Sequence, residues 1–185
     1  MTAIAFTFWR ICLFKQGPET LPASNFLLAL VILMNAMVSW VASVMLEPLI
    51  INQEDLSSLG VDAAAEPASG FTVLSLVIVS LASTTALVWG TLSLMSHQDR
   101  VARTLMAIFG ADVILTVLTA ASVYFGALFD SIITQLAGIG MFLWTVAVYG
   151  FILHRALSVS MGMGIAAGLF IMIFTIAISQ VAIGV

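Results

Sequence analysis

From Asn25 onward the chain falls into long apolar runs separated by short polar or helix-breaking clusters. The runs cover residues 25–46, 71–95, 101–126, 131–153 and 159–184. Their boundaries are Ser24-Asn25, Glu47-Pro48, Pro67 to Gly70, Ser96 to Arg100, Asp130-Ser131 and His154-Arg155. A helix needs about 20 apolar residues to cross a hydrocarbon core about 30 Å thick, and every run has that length. Strands of a membrane barrel would alternate apolar and polar positions over roughly 10 residues, a pattern absent here. The pattern predicts an all-α, polytopic membrane protein with five transmembrane helices forming one domain over 25–185.

The stretch MTAIAFTFWRICLF at the N-terminus is apolar but shorter, with Arg10 inside it and no cation ahead of it. A secretory signal has the cation first and the apolar run after it, so the order argues against one. On a helix, Phe6, Trp9 and Leu13 share a face, with Trp9 suited to the headgroup level. Residues 1–24 are therefore expected to form an interfacial amphipathic helix followed by a turn. Gly17-Pro18 ends that helix, Pro22 turns the chain, and Ser24 is placed to cap the first span.

Charge supplies the orientation. With five spans, Arg10, Lys15, Arg100, Arg103 and Arg155 all fall on one side of the membrane. Glu47, Glu54, Asp55, Asp62, Glu66 and Asp130 fall on the other. Lysine and arginine mark the cytoplasmic side, which gives a cytoplasmic N-terminus and an external C-terminus. The expected location is the inner, cytoplasmic membrane of a cell that has two. The loop over 47–69 reads as a small, acidic external segment. Trp9, Arg10, Lys15, Arg100, Arg103 and Arg155 are the candidate contacts to lipid headgroups.

Composition agrees with the pattern and removes alternatives. The chain is 62% apolar and 8% charged, with a mean hydropathy of +1.21. Soluble domains run near 45–50% and 25%, so this chain lacks the polar groups to cover itself in water. Its few cations cannot track a phosphate backbone, which excludes nucleic-acid binding. The single cysteine, Cys12, excludes an internal disulfide framework and any CxxC site.

Among the spans, Asp112 is the deep ionisable residue. Counting from Arg103 at 1.5 Å per residue places it roughly 13 Å in, near the midplane. Asn35, Thr84 and Thr85 reach similar depth, and Tyr149 lies nearer the inner surface. Asp112, Asn35 and a threonine are expected to form a hydrogen-bonded layer. An intramembrane carboxyl is a candidate proton or cation site by default. The plainer reading is a protonated Asp112 that bonds Asn35 and fixes helix packing, favoured by the absence of a basic partner in any span. Small residues mark a second pattern. Gly164 and Gly168 form a GxxxG with Gly162 just before, and Gly138-x-Gly140 marks the fourth span. Small faces let helices approach closely. Packing of the fourth span on the fifth is expected from them, with association of copies second.

No HExxH, GxSxG or Walker loop occurs, and no intramembrane Ser–His or Asp–Asp pair. An enzyme, a metal and a cofactor are accordingly not expected. His97 and His154 both lie on the cytoplasmic side and are read as headgroup-level histidines. The stretch RICLFKQGPETLPAS, with RTLMAIFGADVILTVL in the third span and WTVAVYGFILHRAL ending the fourth, resembles a family of small, uncharacterised bacterial inner-membrane proteins. More distantly, five spans with a cytoplasmic N-terminus resemble Yip-type membrane proteins, whose eukaryotic members assist trafficking and membrane shaping. The resemblance implies this topology and supplies no catalytic residues. The expected role is an accessory, scaffold or membrane-organising component, with membrane lipids and a membrane-protein partner or second copy as its contacts. The alternative is a small proton- or cation-coupled transporter or channel using Asp112.

Overall fold

The computed structural model describes residues 2–51, 70–126 and 131–183. Six α-helices account for nearly all of them: α1 (Thr2–Cys12), α2 (Asn25–Ile51), α3 (Gly70–Leu94), α4 (Val101–Gly126), α5 (Ser131–Leu157) and α6 (Met161–Ile183). Five, α2 to α6, are long and apolar enough to cross a membrane. Phe26, Phe71, Leu94 and Val181 are 78–88% exposed, a surface that belongs in lipid rather than in water. The expected acidic loop lies outside the described residues, apart from the helical backbone at its start; so does Asp130.

Two helices outrun their apolar spans. α2 continues past Glu47-Pro48 to Ile51, and α5 passes His154-Arg155 to Leu157. Charge ends a span because it cannot enter hydrocarbon, but it does not end a helix. A cation in the last turn faces the negative end of the helix dipole and favours it, as Arg155 does. The true stops are left-handed residues. Phe14, Ser96 and Ser158 have φ of 60°, 60° and 55° and stand just past α1, α3 and α5. In each case the following residue returns a backbone bond to a carbonyl in the last turn: Lys15 to Arg10, His97 to Leu92, Val159 to His154. This is the Schellman closure, here built without glycine. Starts are capped by serine. Ser24 Oγ accepts from Leu27 N at 3.4 Å and Ser160 Oγ from Met163 N at 3.4 Å.

The turn joining α3 to α4 and the turn joining α5 to α6 meet at one end of the bundle. There Arg100 Nη1 donates to Ala156 O at 3.3 Å and to Ser158 Oγ at 3.0 Å. We refer to it as the arginine end and to the opposite end as the far end. The continuous core lies between the arginine end and the middle: Leu92 and Val88 of α3, Met106 to Phe109 of α4, and Val148, Ile152 and Leu153 of α5 are almost wholly buried.

α1 belongs to that core. Its Phe8, Ile11 and Cys12 face α4 and α5, while Phe6, Trp9 and Leu13 remain exposed. Gly110 makes the seat, since a Cβ there would collide with the Phe8 ring. Cys12 Sγ approaches Ala111 O at 3.9 Å, and the Trp144 indole donates to Cys12 O at 3.0 Å. α1 thus docks at about the tenth residue of α4, near the middle of that helix. The chain then runs back to the arginine end, with Phe14 edge-on to Phe151 at 5.5 Å between centroids and Glu19 Oε1 3.6 Å from Arg155 Nη1.

Candidate site at the middle of the bundle

Asp112 occupies the twelfth position of the 26-residue α4, beside the face that meets α2. Asn35 of α2 is 2% exposed, and its Nδ2 donates to Asp112 Oδ2 at 2.8 Å and to Phe109 O at 3.2 Å. The second carboxyl oxygen, Oδ1, accepts from Tyr149 OH of α5 at 3.3 Å. Three helices therefore converge on one carboxyl through two neutral donors. Among the described residues no cation pairs with it.

Thr84 and Thr85 separate. Thr84 Oγ1 pairs with Thr175 Oγ1 of α6 at 3.3 Å, within the same cavity as Asp112 but not bonded to it. Thr85 Oγ1 returns to Leu81 O at 2.7 Å and lines a different, mostly apolar depression with Trp89. The three-residue layer expected from depth alone is thus completed by Tyr149 rather than by a threonine.

A cavity of about 360 Å³ reaches Asp112. Ser39, Ser80, Thr84, Thr175 and Ser179 join Asn35 and Tyr149 in its wall. Ser39 lies one turn beyond Asn35, Ser80 one turn before Thr84 and Ser179 one turn after Thr175. By helix direction the cavity therefore runs from Asp112 toward the far end. Ser80, Thr175, Ser179 and Ser39 were missed as site residues in the sequence, yet a signal was there. Asn35/Ser39, Ser80/Thr84 and Thr175/Ser179 are each an i, i+4 pair, which puts both members on one face of a helix. Ser179 Oγ satisfies its donor on Thr175 O at 2.9 Å, so its oxygen can still accept within the cavity.

The glycines divide as well. Gly164 lies against the Gly150 carbonyl and the His154 backbone nitrogen, and a Cβ on Gly168 would come within 3.3 Å of Gly150 N and Tyr149 Cβ. Gly150 was not singled out in the sequence; it is the residue of α5 that receives the GxxxG of α6. Among the described residues, Gly138, Gly140 and Gly162 have nothing near the position a Cβ would take.

The cationic residues are not one even rim. Arg10 rests on the Phe6 ring at 4.6 Å, and Trp9 and Lys15 are exposed. Arg100, Arg103 and Arg155 instead line a second cavity, of about 610 Å³, at the arginine end. His154 lines it too, with Nδ1 bonded to Val159 O, whereas His97 Nδ1 is bonded to Met95 O at 2.6 Å and does not contribute to the wall. No group of three or more His, Cys, Asp or Glu residues suited to a metal ion occurs among the described residues. No family model, curated protein or solved structure matches this chain.

Proposed function

We propose that the protein is a small proton- or cation-coupled transporter or channel of the inner membrane, with Asp112 as the group that takes up the cation. The carrying observation is the cavity that opens from the Asp112 carboxyl toward the far end between hydroxyl-bearing faces of α2, α3 and α6. A carboxyl at that depth costs several kcal/mol when charged, unless it is wetted, paired or protonated, so it favours holding a proton or a small cation. Asn35 and Tyr149 hold the carboxyl in place and leave it without a fixed counter-charge. In the proposed threading the N-terminus is cytoplasmic, the arginine end faces the cytosol and the cavity faces outward; the sorting of lysine and arginine supports it. The resemblance to small bacterial inner-membrane proteins supports the same placement. α1, docked at Gly110, then lies within the cytoplasmic leaflet, with Phe6, Trp9 and Leu13 toward lipid.

A second reading keeps a specific observation on its side. Both oxygens of Asp112 are already bonded by neutral donors, as in a structural carboxylic acid that fixes three helices in register. In that case the protein is an accessory, scaffold or membrane-organising component. Asp112→Asn separates the two. Reconstituted in liposomes with an imposed pH gradient, the wild-type chain should carry a cation or proton current that the variant lacks, at equal folded yield. Absence of current in both proteins, with the variant folding normally, would leave the scaffold reading standing.

A further inference from the structure

The cavity at the arginine end is a different kind of site. Its wall carries Arg100, Arg103 and Arg155 against the carboxylates Glu19 and Asp99, so cations outnumber anions three to two. Arg100 is fixed by its bonds to Ala156 O and Ser158 Oγ. Arg155 meets Glu19 at 3.6 Å, but both side chains are more than half exposed, a pairing that solvent largely screens. Arg103 is the informative one. Its Nε is covered by the protein and has no hydrogen-bond acceptor among the described residues, and no described carboxylate pairs with the guanidinium, whose residue lines the cavity. A buried guanidinium N–H without an acceptor loses its hydration and gains nothing in return.

We propose that this cavity binds a phosphate group, with Arg103 as the principal donor and Arg100 and Arg155 completing the cradle. Guanidinium groups match the several acceptor oxygens of a phosphate better than any other side chain does, and they stay charged at every physiological pH. Arg100 comes from the turn before α4, Arg103 from the first turn of α4 and Arg155 from the last turn of α5, so the two helices meet on one ligand. Glu19 is the competitor, holding Arg155 while the cavity is empty and releasing it to an anion. The site lies where the spans end, which is the level of lipid headgroups. Its phosphate is either that of a lipid headgroup or a soluble one.

The test uses the full chain in maltoside micelles at fixed ionic strength, with thermal unfolding as the readout. Short-chain phosphatidylglycerol, short-chain phosphatidylcholine and inorganic phosphate are titrated separately. A saturable rise in the unfolding temperature with at least one of them is expected. Arg103→Gln should raise the half-saturating concentration at least tenfold. Glu19→Gln should lower it about threefold. Saturation by lipid alone identifies the headgroup as the source; saturation by inorganic phosphate as well identifies a soluble ligand. A rise that never saturates, or one shared equally by Arg103→Gln, overturns the proposal. If Arg103→Gln fails to fold, Glu19→Gln decides, because a tighter half-saturation cannot come from misfolding, and an unchanged one rejects the site.

Discussion

The two halves of the bundle are built from similar residues and packed differently. Toward the arginine end, α1, α3, α4 and α5 enclose a core in which Ile11, Leu92, Met106, Ile108, Ile152 and Leu153 are fully buried. Beyond Asp112 lies a cavity, and α5 exposes every residue from 135 to 140. The difference does not come from hydrophobicity, since all five spans have mean hydropathy between 1.9 and 2.3. In lipid, burying a leucine against another helix gains little over leaving it among acyl chains, so shape decides which surfaces close. The closed half has matched shapes: Gly150 receives Gly164 and Gly168, and Gly110 receives Phe8. The open half has hydroxyls and an acid, which need partners or water rather than close packing.

The largest effect should come from filling the closest contact in the closed half. A side chain at Gly164 would meet the Gly150 carbonyl and, at 2.8 Å, the backbone nitrogen and Cβ of His154. Neither helix can yield without moving the turn that joins them. Gly164→Val should destabilise by about 3 kcal/mol or more, toward the upper end of overpacking costs. Gly138→Val, at an open position of the same helix pair, should leave the unfolding temperature in micelles within a degree or two. Equal losses at the two positions would show that the far half is packed as closely as the arginine end.

Next comes removal rather than insertion. Leu92 is wholly buried in the core, whereas Leu76, on the same helix, lines the cavity. In lipid the transfer contribution of a deleted leucine side chain shrinks, and what remains is the void and the lost dispersion contacts. Leu92→Ala should cost about 2 kcal/mol, at the low end of large-to-small changes in a core. Leu76→Ala enlarges a space that already exists and should cost under about 1 kcal/mol. Denaturant or thermal unfolding of both variants in the same detergent makes the comparison. A larger loss at position 76 would show that the cavity wall, and not the core, limits stability.

Much of this contrast could be read before any fold was known. Run length alone gives the five spans, because about 20 apolar residues in sequence have no stable alternative to a helix in lipid. Depth along α2 and α4 also brought Asn35 to Asp112. What depth cannot supply is azimuth. Thr84 and Thr85 stand at the same level and face different cavities, and Tyr149, judged shallower, reaches the carboxyl because its side chain is long. The seat of α1 was hidden for a related reason. Gly110 in the middle of a span looks like an ordinary packing glycine, and only the fold shows that its partner is Phe8, from a helix too short to cross the membrane. Gly138 and Gly140 present the reverse case, with the composition of a contact and no neighbour among the described residues.

The smallest expected effect concerns the left-handed closures that terminate α1, α3 and α5. Ser158, at φ 55°, must hold a conformation that glycine adopts freely and an ordinary side chain resists. Its hydroxyl also accepts the Arg100 Nη1 bond at 3.0 Å, so the residue serves both the turn and the arginine end. Ser96, at φ 60°, shares the left-handed backbone but not the bond to Arg100. Ser96→Gly should therefore stabilise the protein by up to about 1 kcal/mol through relief of the left-handed strain. Ser158→Gly gains the same relief and loses a charge-assisted hydrogen bond of similar size, so its unfolding temperature should barely move. The two closures share a geometry and differ in this one bond, which makes the difference between the variants a direct measure of it. An equal gain at both positions would show that Arg100 finds another acceptor when Ser158 is removed, and that the rim of the cavity at the arginine end tolerates rearrangement.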